Sequence, residues 1–245
     1  MLRALFFLML WATAAHAADG AQSRAIGFSP DGKYFAFEQY GMEDGSGFAY
    51  SDIFVIDIAA NEWVKGSPIR VLDESEESSI DAARAKAMAE AKPVIDALKV
   101  TSSHDTLLHR PFTDFTNDRR KVRFARWYSS TADTGAYDYL GSFELEVKDI
   151  SLPVPADCTE TDIAMPVGME VTVKNLKTGT AKSMAKDTAI PKSRNCPHRY
   201  DIEAIFVPSA YNVPNDPVVA LIGTYSRGFE GSNRRFIAVP IELIE

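Results

Sequence analysis

Few side chains in this sequence are spaced for chemistry. His104-Asp105 and His109 flank a loop, where an imidazole could serve as a general base, but no nucleophile accompanies them in sequence. With His198 they are the histidines beyond residue 17, and none sits in an H-E-x-x-H spacing that would place two imidazoles on one helix face. No metal site is expected on that ground. A G-x-S-x-G nucleophile elbow is absent too, and with one helical segment the chain lacks the catalytic α/β half of a serine peptidase.

Two other clusters carry charge. Glu43 and Asp44, within Gly41-Met42-Glu43-Asp44-Gly45-Ser46-Gly47, and Asp52 beyond it offer oxygen ligands and flexible glycines to a calcium ion, but without the D-x-D-x-D-G spacing. A solvated hairpin loop is the expectation there. Arg227, Glu230, Arg234 and Arg235 fall in the last hairpin, where two arginines could grip a carboxylate or phosphate as a planar fork; alternatively Glu230 pairs with one arginine across the strands. Aromatics at Tyr40, Tyr50, Trp127, Tyr128, Tyr137, Tyr139 and Tyr225 end or follow strands, where they cap a core or line a binding face. These charged residues are binding candidates; no catalytic residue and no cofactor is assigned.

The start of the chain indicates where it works. Arg3 precedes an apolar run from Ala4 to Ala14, followed by the small-x-small pattern Ala15-His16-Ala17. That is a secretory signal over residues 1–17, cut between Ala17 and Ala18. The run is too short for a bilayer span, which needs about 20 apolar residues. The residue after the cut is not cysteine, so a lipid-anchored start is not expected, and the mature chain is expected to be soluble in the periplasm or medium.

Arg3 is the leader's one basic residue of the 26 in the chain, and all 34 acidic residues lie beyond the leader, so the mature charge is near −9. Such a surface repels nucleic acid and anionic lipid. Both cysteines, Cys158 and Cys196, lie in the exported part, where oxidising conditions favour a disulfide; two free thiols are the alternative. No Cys-x-x-Cys pair points to redox catalysis.

The elements behind these residues repeat. Phe28-Ser29-Pro30-Asp31-Gly32-Lys33-Tyr34-Phe35-Ala36-Phe37, ending on Tyr40, aligns with Phe115 to Phe124, ending on Trp127, and more weakly with a segment from Val213 through Asn215, Asp216 and Pro217 to Val218–Ile222 and Tyr225. Each places a turn before a strand. A further apolar run follows each time, at Ile53–Ile58, Phe143–Val147 and Phe236–Ile241, which makes three hairpins. Pro30 presets φ, Asp31 bonds a downstream amide, Gly32 takes a positive φ, and alternation sends Phe35 and Phe37 to one face.

The stretch from Phe28-Ser29-Pro30-Asp31-Gly32-Lys33 to Ser51-Asp52-Ile53-Phe54-Val55-Ile56-Asp57 resembles one blade of a TolB-like β-propeller. The whole chain, including Gly228-Phe229-Glu230-Gly231 and Arg234-Arg235-Phe236-Ile237-Ala238-Val239, is similar to a family of predicted secreted bacterial proteins of unknown function. That resemblance implies no activity.

Ser78 or Ser79 caps a helical insert at about 78–99, with Ile80, Ala83, Ala87 and Ala91 on one shallow face; Pro93 is expected to kink it or to begin a second short helix. A hairpin at Met169–Val173 and Thr180–Lys182, and a strand at Ile202–Val207, bring the expected count to roughly ten strands. The fold class is therefore mainly β: antiparallel hairpin repeats, propeller-like or a sandwich, in one domain over 18–245. The functional expectation is an exported binding or accessory protein that recognises a protein, peptide or envelope component through hairpin loops. The alternatives are a small envelope hydrolase and a calcium-stabilised structural protein.

Overall fold

A computed structural model describes residues 18–111, 113–114, 118–129, 137–158, 165–208, 217–229 and 231–244, apart from the side chains of 128–129 and 137–138. The leader expected over 1–17, residues 115–117 at the turn of the second repeat, residues 213–216 at that of the third, and Glu230 lie outside the described residues.

Among the described residues the chain is mostly β, with antiparallel sheets and one α-helix. β1 (Gln22–Phe28), β2 (Tyr34–Met42), β3 (Ala49–Asp57), β4 (Glu62–Trp63) and β5 (Ile69–Asp73) form a first sheet, with β4 and β5 both pairing β3. Helix α1 (Ile80–Ala97) follows. β6 (His104–His109) belongs to a second sheet that is completed late in the chain. β7 (Lys121–Ser129), β8 (Tyr137–Ile150), β9 (Gly168–Asn175) and β10 (Ala181–Lys186) form a third, and β11 (Arg199–Pro208), β12 (Val218–Arg227) and β13 (Ser232–Ile241) return to join β6 in the order β13-β12-β11-β6. The three repeat hairpins are β2–β3, β7–β8 and β12–β13, one in each sheet.

Side-chain alternation stacks these sheets. In β12, Val218, Ala220 and Ile222 pack with Leu145, Val171 and Val173 of the third sheet, while Val219 and Leu221 pack with Phe35, Phe37 and Phe54 of the first. The central sheet is thus buried on both faces, and its strand reads as an unbroken apolar run. A bulge between Ile202 and Ala204 in β11 resets the alternation, so Tyr200, Ile202, Ile205 and Val207 face one core, and Ala204 and Phe206 the other. The result is a sandwich-like pile of helix, first sheet, central sheet and third sheet, without closure into a barrel.

Local chemistry sets the ends. Ser29 accepts from the Tyr34 amide and donates to Asp31, and Gly32 has φ +67°, so the first repeat turns as its sequence requires. Phe35 and Phe37 face the central sheet, and Ala36 between them faces α1. Ser79 caps α1 by accepting from the Ala82 amide, and Ala83, Ala87, Ala91 and Ile95 lie on the first sheet.

Two expectations change. Pro93 starts no second helix: α1 is a single helix, and Leu98 still donates to the Val94 carbonyl at 3.1 Å while Ile95 stays seated on the sheet. The proline's missing donor falls near the helix end, where docking outweighs the lost bond. His104 and His109 do not flank a loop but begin and end β6, an edge strand paired with β11. Its side chains are all at least partly exposed, so no clear alternation marks it in sequence. Cys158 and Cys196 form a disulfide joining the β8–β9 connection to the β10–β11 connection.

Candidate functional site

Where the first sheet meets the far end of the β12–β13 hairpin, their faces enclose a cavity of about 400 Å³ lined with polar groups. Its floor begins in β3. Tyr50, Asp52 and Phe54 share the face toward the central sheet, so Asp52 stands between two aromatic rings. In register beside Asp52 are Gln39 of β2 and Arg70 of β5. Gln39 donates to Asp52 Oδ2 at 2.9 Å, and its own oxygen accepts from the Phe236 amide of β13 at 2.8 Å. One planar amide thereby fastens the first sheet to the second.

Arg235 of β13 enters from the opposite side. It lies over the Tyr50 ring at 4.4 Å and is ion-paired to Asp19. Asp19 is 3% exposed; its other oxygen accepts from the Tyr50 hydroxyl at 2.7 Å. Segment 19–21 is placed to do this because the Ala21 amide donates to the Arg234 carbonyl and the Arg234 amide to the Asp19 carbonyl, in a short parallel bridge along β13. Asp19, Tyr50, Arg235, Asp52 and Gln39 form one interlocked set.

The electrostatics follow from that burial. Desolvation pushes the Asp52 carboxyl above its usual range, with the Gln39 bond and the charges of Arg70 and Arg235 opposing it. Tyr50 is pushed far up, first by burial, so it remains a neutral donor to Asp19. Burial works against the Arg235 charge, but the Asp19 bond and the charges of Tyr50, Asp19 and Asp52 together outweigh it and raise the guanidinium pKa. Asp52 Oδ1 and the exposed Arg70 guanidinium have no hydrogen bond or ion pair among the described residues.

The remaining walls come from elsewhere. Trp63 of β4, about half exposed, packs its ring 5.9 Å from that of Phe54. Ser193, Arg194 and Asn195, just before Cys196, close another side; Arg194 is ion-paired to Asp187 and bonded to the Tyr200 hydroxyl at 3.2 Å.

Of the residues singled out from sequence, the structure brings Glu43, Tyr50, Asp52 and Arg235 to this cavity. Glu43 accepts from Ser46 at 3.1 Å within the β2–β3 turn, and Asp44 lies in the same turn. Among the described residues no three His, Cys, Asp or Glu side chains converge as metal ligands. Arg234 and Arg235 do not form one fork: as neighbours in a strand they point to opposite faces. Arg234 is buried, donating to the Ala21 carbonyl at 2.8 Å and lying 3.9 Å from Glu203. Arg227 is exposed at the end of β12.

Glu203 anchors a separate cluster, accepting from Arg119 at 2.6 Å and from Tyr225 at 3.0 Å. His198 has its Nε2 3.2 Å from the Ser232 hydroxyl, and burial followed by Arg199 depresses its pKa. Asp19, Gln39 and Arg70 were not singled out in sequence. The one local sign was an acid placed between Tyr50 and Phe54 on the inward face of an apolar strand.

Fold and site together define a mostly β, disulfide-closed protein with a polar inter-sheet cavity. Residues 36–242 match the model of the family described as predicted secreted protein (DUF2259), and the chain belongs to that family. It is a secreted protein, and among the described residues no helix is long and apolar enough to cross a membrane. No curated protein and no solved structure matches the chain.

Proposed function

We propose that the protein is an exported binding module for a component of the cell envelope, and that the cavity between the first and central sheets is its recognition site. The observation that supports this is the interlocked set Asp19–Tyr50–Arg235 and Asp52–Gln39, which holds polar groups rigidly against an open cavity of about 400 Å³, a size common among small-molecule sites. Holding charged groups at a sheet interface costs desolvation that an apolar interface would avoid. Preorganised donors and acceptors are what such a cost supplies to a ligand.

The test is thermal unfolding of the mature protein with amino acids, short peptides, saccharides, polyamines and inorganic phosphate. A ligand at a hundred times its Kd adds about 2.7 kcal/mol, which raises Tm by roughly 5–10 °C for a chain of this size. The expected result is such a rise with one class, lost in Asp52→Ala and kept in a Glu146→Ala control on the outer face of the third sheet. A panel without any Asp52-dependent rise removes the cavity as the recognition site.

A further inference from the structure

Resting on the cavity as the recognition site, we infer that its ligand is a neutral polyhydroxylated ring, a saccharide unit, held between Asp52 and Arg70 on one side and the Trp63 ring on the other.

The charge arrangement argues for a neutral ligand. Three arginines line the cavity, but two are already held by carboxylates behind them, Arg194 by Asp187 and Arg235 by Asp19. The third, Arg70, stands in register with Asp52 on the neighbouring strand. Its charge is matched in number by the Asp52 carboxylate on the same face, so the cavity offers an anion no net positive charge. On the acidic side, Asp52 has Arg70 beside it and Glu43 already accepts from Ser46, so a cation finds no uncommitted carboxylate pair. An ion entering this cavity gives up hydration without a matching counter-charge.

The hydrogen-bonding inventory argues for hydroxyls. Asp52 Oδ1 is an acceptor and Arg70 is a planar donor, side by side on adjacent strands. One hydroxyl can donate to the first while accepting from the second, and both bonds are charge-assisted. Ser193, Asn195 and Ser226 add groups that donate and accept around the same space.

The wall argues for a ring. Trp63 keeps about half its surface in solvent although its neighbour Phe54 is buried, which leaves indole surface at the cavity edge. A pyranose presents hydroxyls at its rim and C–H bonds on its face. The rim matches Asp52 and Arg70, and the face matches an aromatic surface.

Trp63 also supplies the assay. Of the three tryptophans, Trp11 lies in the leader and Trp127 is half exposed on the outer face of the third sheet, so Trp127→Phe leaves Trp63 as the single reporter in the mature protein. Its fluorescence is titrated with D-glucose, D-galactose, N-acetyl-D-glucosamine, cellobiose and diacetylchitobiose, and separately with Ala-Ala-Ala, spermidine and inorganic phosphate. The expected result is a saturable change with at least one saccharide at a Kd below about 1 mM, some −4 kcal/mol, weakened at least tenfold in Arg70→Ala and in Asp52→Ala. Circular dichroism confirms that both variants are folded.

Saccharides without effect beside a saturable, Asp52-dependent response to the peptide, amine or phosphate overturn the ligand class and leave the cavity as the recognition site. A flat response to every probe overturns both. A saccharide response unchanged in both variants places the sugar elsewhere and overturns the inference.

Discussion

Glu38 tests how the outer layer of the pile is held. Its side chain is 1% exposed, in β2 between the first sheet and α1. Arg84 of the helix reaches it twice, Nε to Oε1 at 2.9 Å and a terminal nitrogen to Oε2 at 3.0 Å, while stacking over Tyr40. Arg24 of β1 donates to Oε2 at 2.9 Å and Ser51 to Oε1 at 3.1 Å. The apolar stripe of α1 is mostly alanine, which buries little area, so this carboxylate carries much of the docking.

Glu38→Gln keeps an acceptor for Arg84 Nε and Ser51, but turns a donor toward the nitrogens of Arg84 and Arg24. The Arg84 bond lost is worth about 1.5–3 kcal/mol; the Arg24 bond, to a half-exposed guanidinium, adds about 0–1 kcal/mol. The expected loss is about 2–4 kcal/mol, and a fall in Tm of roughly 5–15 °C. Arg84→Gln should cost a similar amount and Arg24→Gln less than about 1 kcal/mol.

The pH dependence adds a second readout. Burial alone pushes the Glu38 carboxyl up, but the Arg84 bond and the charges of Arg24 and Arg84 bring it below its ordinary 4.5. A depressed carboxylate contributes its full stability above the unfolded value and loses it as pH falls through the lower folded value. The wild type and Glu38→Gln should therefore differ most near pH 7 and converge below pH 4.5. Urea unfolding by circular dichroism across pH measures both. A loss under about 1 kcal/mol, or equal losses for Arg24→Gln and Arg84→Gln, refutes the argument.

Replacing Cys158 and Cys196 by serine opens a bridge 38 residues apart, worth about 4 kcal/mol in the chain-entropy model, and should loosen the Ser193–Asn195 wall as well as lower Tm. Gly27→Ala should prevent stable folding, because Gly27 has φ +137° and an added Cβ would stand 1.8 Å from the Thr101 carbonyl oxygen; a normally soluble, cooperatively unfolding variant would contradict this. Asp52→Asn should weaken ligand binding yet raise stability at pH 7. With a folded pKa above the ordinary 3.8, Asp52 makes the wild type lose stability as pH rises through that window, and the variant escapes the loss. Intact mass of the exported protein should correspond to a chain beginning at Ala18, and a retained leader would contradict the signal reading.

The hairpins and the helix cap were legible because their chemistry is local: Pro30-Asp31-Gly32, Thr178-Gly179 and Ser79 each set a backbone angle or satisfy an amide within a few residues. β1, β5 and β6 escaped notice because they pair on one side and show mixed burial, so alternation is weak. The layering was not legible at all. β6 joins β11 across the whole third sheet in sequence, and no local pattern says that 104–109 will pair with 204–208.

The candidate site follows the same division. From sequence alone Asp52 offers an oxygen ligand beyond a loop, and Arg235 one arm of an arginine fork. What unites them is the stacking of β3 against β13, elements far apart in sequence, with Asp19 brought in from the first residues after the expected leader. A polar site built at the junction of two sheets is written in long-range register, whereas sequence reading recovers short-range turns and periods. What survives locally is a misfit: an acid between two aromatics on the buried face of an apolar strand, whose cost the strand itself does not offset. Such a misfit indicates that a partner comes from elsewhere in the fold. Here that partner is Gln39, bonded to Asp52 on one side and to the Phe236 amide of the central sheet on the other.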